Sequence, residues 1–234
     1  MTIAPHKAVQ IKAIQMKFCG ITRAQDAEAA IACGAAMLGL NFYPGSPRHI
    51  ALERAQQIAD AVAGRARLVG VFVNMNLSDV RQIARAVPLD CIQLHGDELH
   101  EECAELARDF EVIRAIKVTP AFRAEDLASY TCCRGLLLDA PSPQRGGSGH
   151  SFDWRSVDWA AVRRAAPWAT IYLAGGLTAE NVAEAIRVAR PDVVDVASGI
   201  EESKGIKSAD GVTKSAEKMR AFAAAVLAAG REVR

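Results

Sequence analysis

Short apolar runs alternate with longer amphipathic stretches along the whole chain. The runs cover 11–18, 37–42, 68–73, 90–94, 112–118, 135–138, 170–173 and 193–196. Most are rich in Val, Ile and Leu, and several are apolar at consecutive rather than alternate positions. A strand with one wet face alternates, whereas a continuous run suits a strand buried on both faces of a parallel sheet. Between the runs, apolar residues recur at helical spacing. Leu77, Val80, Ile83 and Val87 do so beside Ser78, and Val182, Ala185, Ile186 and Ala189 behind Thr178. Both hydroxyl residues are expected to cap their helices. Thr22 and Gln25 have capping-box spacing ahead of Ala27, Ala30 and Ile31. Ser215 precedes a last helix carrying Met219, Phe222, Ala223 and Val226, after a turn at Asp210 and Gly211.

Eight strand-helix units in 234 residues leave about 29 residues for each. Strands alternating with helices imply crossover connections and a parallel sheet. The repeat number and length together predict a single (β/α)8 TIM barrel. An open doubly wound sheet with six or seven true strands is the competing architecture. No Pro/Gly/Ser-rich linker divides the chain, so 1–234 reads as one domain, with residues 1–10 as a flexible N-terminal extension.

Composition acts mainly by exclusion. Half of the residues are hydrophobic and 24% are charged, which is globular composition. With 28 basic against 27 acidic residues, no broad cationic surface is expected, and nucleic acid is not an expected partner. No run approaches the length of a membrane span. Lysines interrupt the N-terminal apolar segment, so no signal-peptide core is expected. The six cysteines, at 19, 33, 91, 103, 132 and 133, form no C-x-x-C pair and fit a reducing, cytoplasmic setting.

In a (β/α)8 barrel, function sits where strands end and loops begin. The first run ends at Cys19, just ahead of a glycine and a helix start; the alternative there is a buried, inert thiol. The second is followed by Ser46-Pro47-Arg48, where Arg48 is either a carboxylate ligand or a solvated loop charge. His95 follows the fourth run. Cys91, His95, His100 and Cys103 invite a zinc reading, but their spacing matches no structural zinc pattern. Packing cysteines and a pocket histidine fit better, and no metal is expected. Asp139 follows three leucines, a placement that suits either a general acid or a cap. Glycine-rich segments follow at Gly146, Gly147, Ser148 and Gly149, at Gly175 and Gly176 after the seventh run, and at Ser198 and Gly199 after the eighth. The last two lie where such barrels commonly hold phosphate. This set suits acid–base chemistry on a phosphorylated small molecule without a cofactor.

As an ordered set these segments resemble the phosphoribosylanthranilate isomerases of tryptophan biosynthesis. The matching stretches are KFCGIT at 17–22, SPR at 46–48, VGVFVN at 69–74, QLHGD at 93–97, LLLD at 136–139, GGSG at 146–149 with FDW at 152–154, LAGGL at 173–177 and VDVASG at 194–199. The resemblance covers Lys17 to about Phe222. It implies a cofactor-free Amadori rearrangement of N-(5-phosphoribosyl)anthranilate in a monomer or homodimer. It also implies Cys19 as general base, Asp139 as general acid and Arg48 as partner of the anthranilate carboxylate. His95 and Asp195 would line the substrate pocket, and the three glycine-rich segments would hold phosphate. Three features depart from the family pattern. Ala197 stands where many relatives have serine, and His150 where many have lysine. Residues 205–208 and 211–215 look like near duplicates, which suggests a short insertion. Rival readings are another phosphate-binding barrel enzyme, such as an indoleglycerol-phosphate synthase or a pentose-phosphate epimerase, and a barrel that binds without turnover. The Cys19/Asp139 pair argues against the first two, and turnover separates the last.

Overall fold

A computed structural model of the chain describes residues 13–140, 153–208 and 211–232. The expected extension at 1–10 and the glycine-rich segment with Gly146, Gly147, Ser148 and Gly149 lie outside the described residues, as does His150. Eight parallel strands close into a barrel in sequence order: β1 Gln15–Cys19, β2 Met37–Asn41, β3 Arg67–Phe72, β4 Cys91–Leu94, β5 Glu111–Lys117, β6 Gly135–Asp139, β7 Thr170–Leu173 and β8 Val193–Val196. Closure is made by β8 against β1, with Lys17 opposite Asp195 and Phe18 opposite Val196. The open-sheet alternative is thereby excluded.

Continuous apolar runs are required here because each strand has two buried faces. On β2, Leu38 and Leu40 point outward under the helices, while Met37 and Gly39 alternate inward. Two cores result. The larger lies between strands and helices; Phe18 meets Phe222 edge-on across it, with ring centroids 6.0 Å apart. The smaller fills the barrel with Met37, Val69, Ile113, Leu137, Tyr172 and Val193, among others. The helices are α1 Ala24–Ala32, α2 Leu52–Val62, α3 Leu77–Ala86, α4 His100–Leu106, α5 Trp159–Ala165, α6 Val182–Ala189 and α7 Ala216–Glu232. Between β5 and β6 the connection is a 3₁₀ segment, Ala124–Ser129, rather than the expected α-helix.

Several helix starts differ from the sequence expectation. α3 begins after Asn76, which makes no side-chain cap, so Ser78 lies inside its first turn. α1 begins after Arg23 with no side-chain cap, because the Thr22 hydroxyl instead donates to the Val212 carbonyl at 2.9 Å. α6 begins after Asn181, whose side chain accepts from the Thr178 N–H and closes a turn ahead of the helix. Ser215 does cap α7, its hydroxyl accepting from the Lys218 N–H. The near-duplicate segments form a hairpin of two short antiparallel strands, β9 Lys207–Ser208 and β10 Gly211–Val212. Among the described residues, no helix is long and apolar enough to cross a membrane.

Candidate active site

The C-terminal ends of β1, β4, β6 and β8 bring Cys19, His95, Asp139 and Asp195 together at one mouth of the barrel. Cys19 ends β1 with its thiol inside. Strand alternation puts Lys17 on the same inner face, and barrel closure puts Asp195 beside it. Lys17 is fully buried, and its Nζ lies 3.0 Å from Asp195 Oδ1. Cys19 follows two residues along the same inner face, so the ammonium and the thiol share one wall of the barrel. Across the pairing, Gly39 of β2 leaves the space the thiol occupies: a Cβ there would stand 2.6 Å from Cys19 Sγ.

Burial and charge oppose each other in the ionisation of this group. Burial is the largest influence on the Cys19 thiol and pushes it above its ordinary value. The Lys17 ammonium opposes that rise, the Asp195 carboxylate adds to it, and Lys214 opposes it. Burial also works against the Lys17 ammonium, but Asp195 and Cys19 outweigh it and leave Lys17 raised. Asp195 is raised by burial, with Lys17 opposing.

The second cluster ends β6. Asp139 Oδ1 accepts from the Ala140 N–H at 2.8 Å, and Oδ2 lies 3.1 Å from His95 Nε2. Gln93 Nε2 is 2.8 Å from His95 Nδ1. With the amide donating to Nδ1, ring Nε2 carries the hydrogen and faces Asp139. Gly175, with φ of 88°, is pressed against this strand end: a Cβ would meet Ala140 N at 2.8 Å and Asp139 Oδ1 at 3.3 Å. The two clusters meet electrostatically at Asp195, which feels both Asp139 and His95.

Arg48 is not a solvated loop charge. It is buried, its side chain lies against Gly20, and it forms a fork with Glu201 (Nε–Oε1 2.6 Å, NH2–Oε2 3.0 Å). Lys214 Nζ shares Oε1 at 3.1 Å and donates to the Ala197 carbonyl at 2.8 Å. The Gly205 N–H donates to Oε2, so Glu201 also pins the loop after β8. Burial resists ionisation of Glu201, but Lys214 and Arg48 outweigh it and hold the carboxyl below its usual range. Its stabilisation is therefore full above the ordinary glutamate value of about 4.3 and is lost as pH falls through the lower folded value. Glu201→Gln leaves two buried cations without their anion. We expect a loss of about 3–5 kcal/mol in urea denaturation at neutral pH; a loss below about 1 kcal/mol would show that the cluster is not holding the loop.

The loops after β7 and β8 face a cavity of ≈ 310 Å³ whose lining includes Gly176, Thr178, Ser198, Gly199, Lys204 and Lys218. Glu180 and Glu201 also reach it. Gly199 packs directly on the Leu177 carbonyl, so the two loops form one wall that admits no Cβ there. Lys204 and Lys218 bring cationic charge that sequence reading had not assigned to these loops.

Lys17, Gln93, Glu201 and Lys214 were also missed. Lys17 and Asp195 had a readable signal, since each is a charge inside a run read as buried on both faces. The zinc string separates: Cys91 joins the inner core and Cys103 the outer one.

Comparison with known proteins gives one family. The profile of N-(5'-phosphoribosyl)anthranilate isomerase matches residues 16–218. The chain is 39% identical over 218 residues to the N-(5'-phosphoribosyl)anthranilate isomerase of Ralstonia nicotianae, covering 91% of this chain and 95% of that one. The crystal structure of the Thermus thermophilus phosphoribosyl anthranilate isomerase superposes with a TM-score of 0.80 at 35% identity, covering 92% and 99%. A phosphoribosyl anthranilate isomerase in complex with reduced 1-(o-carboxyphenylamino)-1-deoxyribulose 5-phosphate superposes with a TM-score of 0.76 at 32% identity, covering 91% and 98%.

Proposed function

The chain belongs to the N-(5'-phosphoribosyl)anthranilate isomerase family, and on that premise we propose that it converts N-(5'-phosphoribosyl)anthranilate to 1-(2-carboxyphenylamino)-1-deoxyribulose 5-phosphate in cytoplasmic tryptophan biosynthesis. The observation that carries the mechanism is the pairing of a thiol backed by an ammonium on β1 with a carboxyl backed by an imidazole on β6, at one barrel mouth.

In this reading Asp139 gives a proton to the ribose ring oxygen. The bond from that oxygen to C1 breaks, and the anilino nitrogen lone pair forms the C1–N double bond. The iminium acidifies the C2 hydrogen. Cys19, as thiolate, takes that proton, and the C2–H electrons form the C1–C2 double bond of an enolamine. The Cys19 thiol then gives its proton to C1, and the C2 hydroxyl proton passes to the Asp139 carboxylate, which forms the ketone and restores both groups. The electron sink is the substrate's own iminium. His95, 3.1 Å from Asp139, holds that carboxyl in place. Asp195 is assigned to the sugar hydroxyls on the family resemblance, supported by its place at the same mouth.

Phosphate binding is assigned to the loops after β7 and β8, through Gly175, Gly176, Ser198 and Gly199, supported by Lys204 and Lys218 at the same cavity. The segment with Gly146, Gly147, Ser148 and Gly149 is assigned there on the family resemblance alone.

Arg48 is assigned to the anthranilate carboxylate; its burial beside the Gly20 turn, next to Cys19, supports that role. Arg48→Ala should raise KM about tenfold or more with a smaller change in kcat, as expected for a lost charge-assisted hydrogen bond of ~1.5–3 kcal/mol. Steady-state kinetics check it, and an unchanged KM removes the assignment. The reaction itself is tested by complementation. Expression in a tryptophan auxotroph lacking this isomerase should restore growth without tryptophan, and failure of well-expressed protein to do so contradicts the proposal.

A further inference from the structure

Lys17 has no part in the proton transfers assigned above, yet it is among the most completely enclosed side chains in the molecule. A lysine inside a barrel loses its hydration, and such a position is held only where anionic groups compensate. Two groups do so here. Asp195 Oδ1 lies 3.0 Å from Nζ, and Cys19 sits two residues along the same inward strand face, where the ammonium's charge favours its thiolate. The geometry is set by closure, because β1 and β8 put Lys17 directly opposite Asp195. Gly39 keeps the thiol close to β2 by leaving it the space a side chain would fill.

The ammonium thus stands between a carboxyl and a thiol that compete for its charge. We infer that Lys17 is a positioning residue for the isomerisation: its buried ammonium holds and stabilises the Cys19 thiolate, and Asp195 limits that effect by competing for the same ammonium. This rests on the assignment of Cys19 as base and deepens it. Among the described residues, three charged groups act most strongly on the thiol. From β1 comes Lys17, from β8 Asp195, and from the residues after β10 Lys214, itself bound to Glu201. His95 and Asp139 act on Asp195 from β4 and β6. Of these, Lys17 is the cation on the thiol's own strand face and the strongest charge acting on it.

The inference makes two predictions of opposite sign. Thiolate formation at Cys19 is followed by ultraviolet thiolate absorbance against pH, as the difference between each protein and the same protein carrying Cys19→Ser. In Lys17→Met the Cys19 midpoint should move up by about one pH unit or more, since a neighbouring cation is lost. In Asp195→Asn it should move down, since the competing carboxylate is gone. A purely structural role for the pair would give no such opposition. Turnover by Lys17→Met should fall mainly in kcat and recover as pH is raised. A midpoint unchanged or lowered in Lys17→Met overturns the inference. Should Lys17→Met fail to fold, Asp195→Asn decides alone: a lowered midpoint supports the inference, and an unchanged or raised one overturns it. Failure of the base assignment is separately visible, because Cys19→Ser would then retain turnover whatever the titrations show.

Discussion

Cys19→Ser should lower kcat by about 100-fold or more, the range expected when a proton-transfer group is removed. The exchange keeps the side chain's shape, so the fit against Gly39 and the barrel interior is preserved. What changes is acidity. A serine hydroxyl ionises far less readily than a thiol, and Lys17 cannot compensate across that gap. Binding of a reduced product analogue should be nearly unaltered. The wild-type enzyme should also show kcat/KM rising with pH into the alkaline range, because burial holds the Cys19 thiol above its ordinary value and only the thiolate can accept the C2 proton. That limb should be absent from Cys19→Ser. Near-normal turnover by this variant removes Cys19 from the role of base.

Asp139→Asn should have an effect of the same order, about 100-fold or more in kcat, for the opposite reason. The amide can still accept from the Ala140 N–H, so the strand end and Gly175 keep their places. It has no proton to give to the ring oxygen. It also disturbs the pairing with His95: an amide NH2 turned toward Nε2 meets a donor with a donor, unless the ring changes tautomer and breaks the hydrogen bond from Gln93. Ring opening should therefore become limiting, while KM changes little. Steady-state kinetics with freshly generated substrate check this, and an unchanged kcat would remove Asp139 as the acid.

The barrel was legible because its strands are buried on two faces, which writes unbroken apolar runs into the chain. β7 and β8 fall on the expected residues, and the remaining strands differ at one or both ends. Helix starts were less legible. Thr22 has a cap-forming side chain, but a hydrogen bond to Val212, far away in sequence, takes it away from α1. α3, in turn, starts after Asn76 with no side-chain cap, which places Ser78 inside the helix. Candidate site residues at strand ends were readable by position, and Cys19, Asp139, His95 and Asp195 do converge. Their partners were not. Lys17 and Asp195 are 178 residues apart, and Arg48 and Glu201 are 153 apart. Barrel closure and the folding of the loop after β8 create those pairs, and neither leaves a spacing in the sequence. The duplicate segments could be seen as an insertion, but their pairing as β9 and β10 could not.

The central claim is that this chain catalyses the isomerisation through the mouth formed by β1, β4, β6 and β8. The most direct measurement is turnover by the purified wild-type protein of phosphoribosylanthranilate generated in the cuvette from anthranilate and phosphoribosyl pyrophosphate. The prediction is enzyme-dependent conversion to the carboxyphenylamino-deoxyribulose phosphate without added metal or cofactor. A folded, monodisperse protein that leaves the substrate to its spontaneous breakdown would contradict it.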